Sequence, residues 1–179
     1  FRDWQIKKYV TTEAIYGSYT SGLFTATEGQ KCYMVIGSTG GASYQTPPTD
    51  NDGNSLFETA MATPPQVNPD QPKVISQGPS LCIFKKDNPQ EVVASWLFVK
   101  FLTSNVEFQA AFSMASGYAP VIQSVQENQV YKTWLDKANG FNNLPALSAK
   151  LALSQSNAYF VSPAFNGSSV ARDQVAKLM

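Results

Sequence analysis

The side chains best equipped for chemistry in this sequence are ones that hold a ligand. Arg172 stands in the first turns of a predicted final helix, after Gly167-Ser168-Ser169. A guanidinium fork beside helix-start amides makes an anion site; the alternative is a solvated helix arginine. Ser38 and Thr39 sit in Gly37-Ser38-Thr39-Gly40-Gly41, just after an apolar run. Hydroxyls and free amides there would meet ligand oxygens, or simply make a strand-to-helix turn. Tyr118 combines a flat apolar face with a hydroxyl, which suits stacking on a sugar, donating to a phosphate, or packing in a hinge. Phe165 lies in the loop Ser162-Pro163-Ala164-Phe165-Asn166-Gly167 beside Arg172 and is placed to line a cleft.

Reactive chemistry is sparse. The 179-residue sequence contains no histidine, which removes the commonest general base and metal ligand and any Ser-His-Asp or Cys-His pair. Two distant cysteines cannot by themselves assemble a zinc set. The glycine-rich stretch at 37–41 lacks the Gly-Lys-Ser/Thr ending and the glycine spacing of nucleotide loops. Asp50 and Asp52 fall in a Pro/Asn/Gly-rich loop where solvated carboxylates are expected, and Glu91, Glu107 and Glu127 read as helix-capping residues. No catalytic residue, metal or cofactor is expected. Thirteen basic and thirteen acidic residues cancel without a basic stripe, which argues against a nucleic-acid partner.

The elements that must position these side chains are those of a globular chain, 43% hydrophobic and only 15% charged. Residues 1–22 read as a short helix followed by a loop. Lys31–Ile36 reads as a buried strand between Gly29 and Gly37, and Leu81–Phe84 as a second. Six prolines between Thr46 and Pro72 leave room only for a short strand around Phe57–Ala62. Asn88-Pro89-Gln90-Glu91 starts a helix to about Leu102. Ser104 with Glu107 starts another that ends at Gly117, and Ser124–Glu127 opens a third, ended by Asn139-Gly140. Pro145 starts a fourth, Tyr159–Val161 is strand-like, and a last helix carries Val170, Val175 and Leu178. Trp96 and Trp134 are expected in the core, Cys32 and Cys82 as buried thiols with a disulfide as the alternative. Strands separated by helices give an α/β class.

Four segments in order resemble the extracellular solute-binding proteins of family 1, the maltose- and glycerol-3-phosphate-binding type. They are Phe24–Ile36 with its small-residue loop; Gly78-Pro79-Ser80-Leu81-Cys82-Ile83-Phe84; Asn88-Pro89-Gln90-Glu91 through Phe101-Leu102-Thr103; and Gly117-Tyr118-Ala119-Pro120-Val121. The resemblance implies a periplasmic-binding-protein-like (type II) α/β fold, here mainly the C-terminal lobe, with the chain's first half missing relative to the family. Residues 1–72 and 119–179 would belong to that lobe, and 73–118 would be a hinge-crossing segment completing the N-terminal lobe. It further implies a non-enzymatic component of an ABC importer that captures a sugar or glycerol phosphate by lobe closure and partners the importer's membrane subunits. It would work outside the cytoplasm, as a cell-surface lipoprotein or in the periplasm. In this light Gly78 resembles the glycine whose backbone approaches the ligand, a β-bulge being the alternative, Tyr118 gains weight as a ligand contact, and Arg172 stands where glycerol-phosphate binders grip the phosphate. A non-catalytic surface adhesion or scaffold module that kept the fold is the competing function. An enzyme working with carboxylates alone is a remoter one.

Overall fold

A computed structural model describes residues 1–138 and 143–178 of the chain. Three short helices come first: α1 (Arg2–Ile6), α2 (Glu13–Tyr16) and α3 (Ser21–Phe24). A 3-10 helix, Thr39–Gln45, follows the glycine-rich stretch. Asparagines then set where the long helices begin, because a short side-chain oxygen can satisfy a first-turn amide that has no intrahelical partner. Asn88 accepts from the Gln90 N–H at 2.9 Å, with Pro89 in the first turn, and starts α4 (Pro89–Ser104). Asn105 accepts from the Phe108 N–H at 2.7 Å and starts α5 (Val106–Ser116). Asn128 does the same for α6 (Gln129–Asp136) through Tyr131, and Asn143 for α7 (Leu144–Ser154) through Ala146. The last helix is α8 (Ser168–Leu178).

The only sheet among the described residues is two strands, β1 (Val74–Ile75) and β2 (Tyr159–Phe160), paired in parallel with Val74 opposite Tyr159 and Ile75 opposite Phe160. The Tyr159 hydroxyl donates to the Ala152 carbonyl at 2.6 Å, tying β2 to the last turn of α7.

Helices α5, α6 and α7 pack around two of the 3-10 segments, Thr39–Gln45 and Gln123–Glu127. Ala110, Val125 and Tyr131 form the buried centre, with Val106, Met114, Ile122, Trp134, Leu135 and Leu153 packed around it. One polar chain runs through this core. The Ser113 hydroxyl bonds the Tyr118 carbonyl and lies 3.0 Å from the Tyr131 hydroxyl. A carbonyl can only accept, so Ser113 spends its single proton on Tyr118 and Tyr131 must donate to Ser113. Gln109 works similarly from the same helix face: its amide N–H donates to the Leu102 carbonyl, and its oxygen accepts from the Val121 N–H at 3.1 Å.

Several local expectations change. Lys31–Ile36 and Leu81–Phe84 form no strands, and Phe57–Ala62 is not one either. A strand exists only with a ladder partner, and apart from Cys32 N–H donating to the Leu23 carbonyl at 2.9 Å, neither apolar run has one. The caps of α5 and of the third helix are Asn105 and Asn128 rather than Ser104 and Ser124, and Ser124–Glu127 forms a 3-10 turn. Glu127 pairs with Lys132 at 2.7 Å instead of capping, and hydrogen bond and charge together hold its carboxyl below the usual range. Asp50 is not simply solvated: its carboxylate accepts from the Asn54 and Asp52 N–H groups and the Asn54 amide, closing a turn. Both cysteines are free, Cys82 is exposed and Cys32 half-buried. Trp96 is 48% exposed, whereas Trp134 packs on the core. The Asn139-Gly140 helix end lies outside the described residues.

Removing the Ser113 hydroxyl leaves the buried Tyr131 hydroxyl and the Tyr118 carbonyl without this partner, so Ser113→Ala should cost about 1–3 kcal/mol, against about 0.5–1.5 kcal/mol for Tyr131→Phe. Burial pushes the Tyr131 hydroxyl above the ordinary tyrosine value. The fold therefore favours the neutral phenol. Stability from this source is complete below about pH 10, where an unfolded tyrosine titrates, and is lost as pH rises towards the folded value. Tyr159, also raised by burial, adds a slope of the same sign. Urea melts at pH 8 and above pH 10 should show a smaller alkaline loss for Tyr131→Phe than for the wild type.

Candidate functional site

Three of the six candidate residues meet at one place. Ser38 caps the 3-10 helix: its hydroxyl oxygen accepts from the Gly40 N–H at 3.3 Å and its carbonyl from the Gly41 N–H at 2.9 Å. The helix is held down by Ala42, fully buried, and by the Ser148 hydroxyl of α7, which donates to the Thr39 carbonyl at 3.3 Å. Such tight packing needs small residues. From the other side the chain leaves α5 at Gly117, whose φ of +79° is a left-handed helix end. A Cβ at Gly117 would also lie 3.0 Å from the Thr39 carbonyl oxygen and 3.4 Å from the Ala42 Cβ. Helix termination and close approach thus demand the same glycine.

That turn delivers Tyr118 onto the loop. The outer edge of its ring lies against Gly40 so closely that a Cβ there would sit 2.2 Å from Cζ and 2.6 Å from the hydroxyl oxygen. The ring remains 37% exposed, Ser38 is exposed and Thr39 half-buried. The Gly40 and Gly41 amides are already engaged by Ser38, so hydroxyls and an aromatic face are what the surface offers a ligand. Gly40 is the residue that sequence reasoning missed here. The adjacent pair Gly40-Gly41 was its only signal.

The other three candidates lie elsewhere. Gly78 is exposed, nothing lies within 4 Å of where its Cβ would be, and the backbone from Gln77 to Asp87 makes no hydrogen bond among the described residues. Phe165 is exposed, and its carbonyl accepts from the Ser168 N–H at 3.0 Å where the chain turns into α8. Arg172 is exposed on α8. One turn further, Ala176 lines an open groove with Thr12, Glu13, Ala14 and Gly17 around α2. Among the described residues no hydrogen bond or ion pair joins these three to the Ser38–Tyr118 cluster.

Hydroxyls, glycine backbone and an aromatic ring converging on one loop of a helix-rich α/β chain are the makings of a surface that holds a small solute. The family of bacterial extracellular solute-binding proteins matches residues 4–139, most of the chain, and the chain belongs to that family. Its members have an extracytoplasmic solute-binding role in ABC transport and are generally non-catalytic. The matched residues include Ser38, Thr39, Gly78 and Tyr118; Phe165 and Arg172 lie beyond them. No curated protein and no solved structure matches the chain.

The Gly40–Tyr118 contact yields a direct test. Because the ring is partly exposed it can swing aside, so Gly40→Ala should cost about 1 kcal/mol, the low end of overpacking. Tyr118→Ala in the same chain should recover most of that loss. A double-mutant cycle from urea melts reads the coupling, and strict additivity would show that the contact does not constrain the loop.

Proposed function

We propose that this protein is the solute-binding component of an ABC importer that captures a sugar or a glycerol-phosphate-type solute by closure of two lobes. The observation that carries the reading is the joining of the Ser38–Gly40 loop to Tyr118, residues 78 positions apart in the chain that share one exposed patch. Ser38, Thr39 and Tyr118 would contact the solute directly. Gly78 would let the backbone approach it, while Phe165 and Arg172 would close from the side of α8, Arg172 gripping an anionic group. The protein would work with the importer's membrane subunits, as a cell-surface lipoprotein or in the periplasm.

The proposal takes the fold as periplasmic-binding-protein-like, type II. Residues 1–72 and 119–179 form the C-terminal lobe, and 73–118 cross the hinge to complete the N-terminal lobe. The state of the crossing segment supports this. The backbone of 77–87 is unpaired, Phe84 is 80% exposed, and α4 buries no residue although it is apolar all round. A helix of that kind belongs inside a protein. Ile83, Phe84, Val92, Val93 and Trp96 line an open groove of about 550 Å³ between strand-like segment and helix, as a strand and helix would that complete a second sheet layer. Helix α5 packs on α6 and α7 along its length, from Val106 to Met114, and so would join the crossing segment to the core.

A thermal-shift screen against glycerol 3-phosphate, glycerophosphodiesters, and mono- and oligosaccharides tests the reading. A ligand at 100 times its Kd adds about 2.7 kcal/mol to stability, so one class should raise Tm clearly. No shift with any of them, in folded protein, would favour an adhesion or scaffold module. If glycerol 3-phosphate binds, Arg172→Ala should weaken it at least about tenfold, a charge-assisted hydrogen bond contributing about 1.5–3 kcal/mol. Unchanged affinity would remove Arg172 from the phosphate role.

A further inference from the structure

We infer that Gln45 is a further solute-contacting residue, whose carboxamide reads a hydroxyl of the solute beside Ser38; the inference rests on the solute-binding reading above. The first observation is where the amide lies. Gln45 ends the 3-10 helix Thr39–Gln45, and its side chain folds back along the loop. A Cβ on Gly37 would meet the Gln45 Nε2 at 3.0 Å, and one on Gly41 would meet the same atom at 3.5 Å. The glycines of the loop therefore serve two neighbours. Gly40 makes room for Tyr118, whereas Gly37 and Gly41 make room for the Gln45 amide, which rests against the backbone that carries Ser38.

The second observation is that no group of the protein uses this amide. Residues three apart share a face of a 3-10 helix, so Gln45 stands on the side of fully buried Ala42 and is itself half-buried. Yet among the described residues no hydrogen bond engages its carboxamide. A polar group so placed takes its partner from outside the chain, as water or as solute. Gln109 of α5 shows the contrast, since both ends of its buried amide are bonded within the protein.

The chemistry of the pair follows. A carboxamide offers two donors and an acceptor, and the Ser38 hydroxyl, whose oxygen accepts from the Gly40 N–H, keeps its proton to donate. An alcohol group both donates and accepts, which is the complement of these two side chains. A phosphate oxygen that only accepts would leave the Gln45 oxygen unused. Sugars and glycerol 3-phosphate both carry alcohol groups, so Gln45 acts on the feature that the two solute classes share and adds an acceptor that the amides of the loop lack.

Isothermal titration of the chain with glucose, maltose and glycerol 3-phosphate decides the matter, using wild type, Gln45→Met and Gln45→Asn, with the Tm of each protein measured without solute. At least one of the three solutes should bind wild type. The methionine variant keeps the length of the side chain without its hydrogen-bonding groups, and the asparagine variant keeps the amide but withdraws it by one methylene. Each should weaken the bound solute about tenfold and leave the solute-free Tm within about 2 °C of wild type. The asparagine variant decides the question if the methionine variant fails to fold. Unchanged affinity in either folded variant would overturn the contact while leaving solute binding intact. So would a loss of affinity matched by a fall in the solute-free Tm, which would make Gln45 a brace for the loop. Wild type that binds none of the three would overturn both.

Discussion

The Ser113 hydroxyl is the point on which the rest of this structure turns. It donates to the Tyr118 carbonyl, just after the left-handed turn at Gly117, and it accepts from Tyr131 on α6. One side chain thereby fixes the exit of α5, the position of α6 and the course of the chain towards Pro120. Buried polar groups of this kind are tolerated only when every donor and acceptor is matched. Here the matching leaves a single arrangement of protons, which is why the geometry is well defined. Tyr118 can rest on Gly40 because its own carbonyl is pinned on the opposite side.

Much of the helical framework was legible in the residues. Asn88-Pro89, Gly117 and Pro145 act through local geometry, so their roles can be read without knowing what lies across the molecule. The caps were read one or more positions early at Ser104 and Ser124, because serine and asparagine present similar oxygens and only the observed backbone tells which one is engaged. The apolar runs at 31–36 and 81–84 could not be read correctly from composition. Both have the side chains of buried strands, but pairing is a property of the neighbour and not of the run. By contrast Tyr159-Phe160 is a strand in fact, since Val74-Ile75 lies beside it.

The candidate site divides along the same line. Ser38, Thr39 and Tyr118 could be singled out by type, and the fold brings them together through contacts that no local pattern encodes: Thr39 under Ser148, Gly117 against Thr39, Gly40 beneath the tyrosine ring. Phe112, 51% exposed, shows the opposite difficulty: in α5 the apolar stripe is wide, and an outward aromatic is indistinguishable from a core one until burial is known.

The groups with displaced titration are all accounted for by the scaffold. Tyr131 and Tyr159 are raised by burial, Cys32 by the same cause, and Asp50 and Glu127 are lowered by hydrogen bonds that close a turn and a helix start. None of them belongs to the Ser38–Tyr118 cluster. Sites that move protons tend to gather perturbed groups where the substrate sits, whereas a site that only holds a solute needs donors, acceptors and a face of the right shape, already in position. In the proposed site those would be the Ser38 hydroxyl at the cap of the 3-10 helix and the Tyr118 ring against Gly40. The buried polar chain that ties α5 to α6 also holds the Tyr118 carbonyl, so the placement of that backbone and the stability of the core have one physical origin.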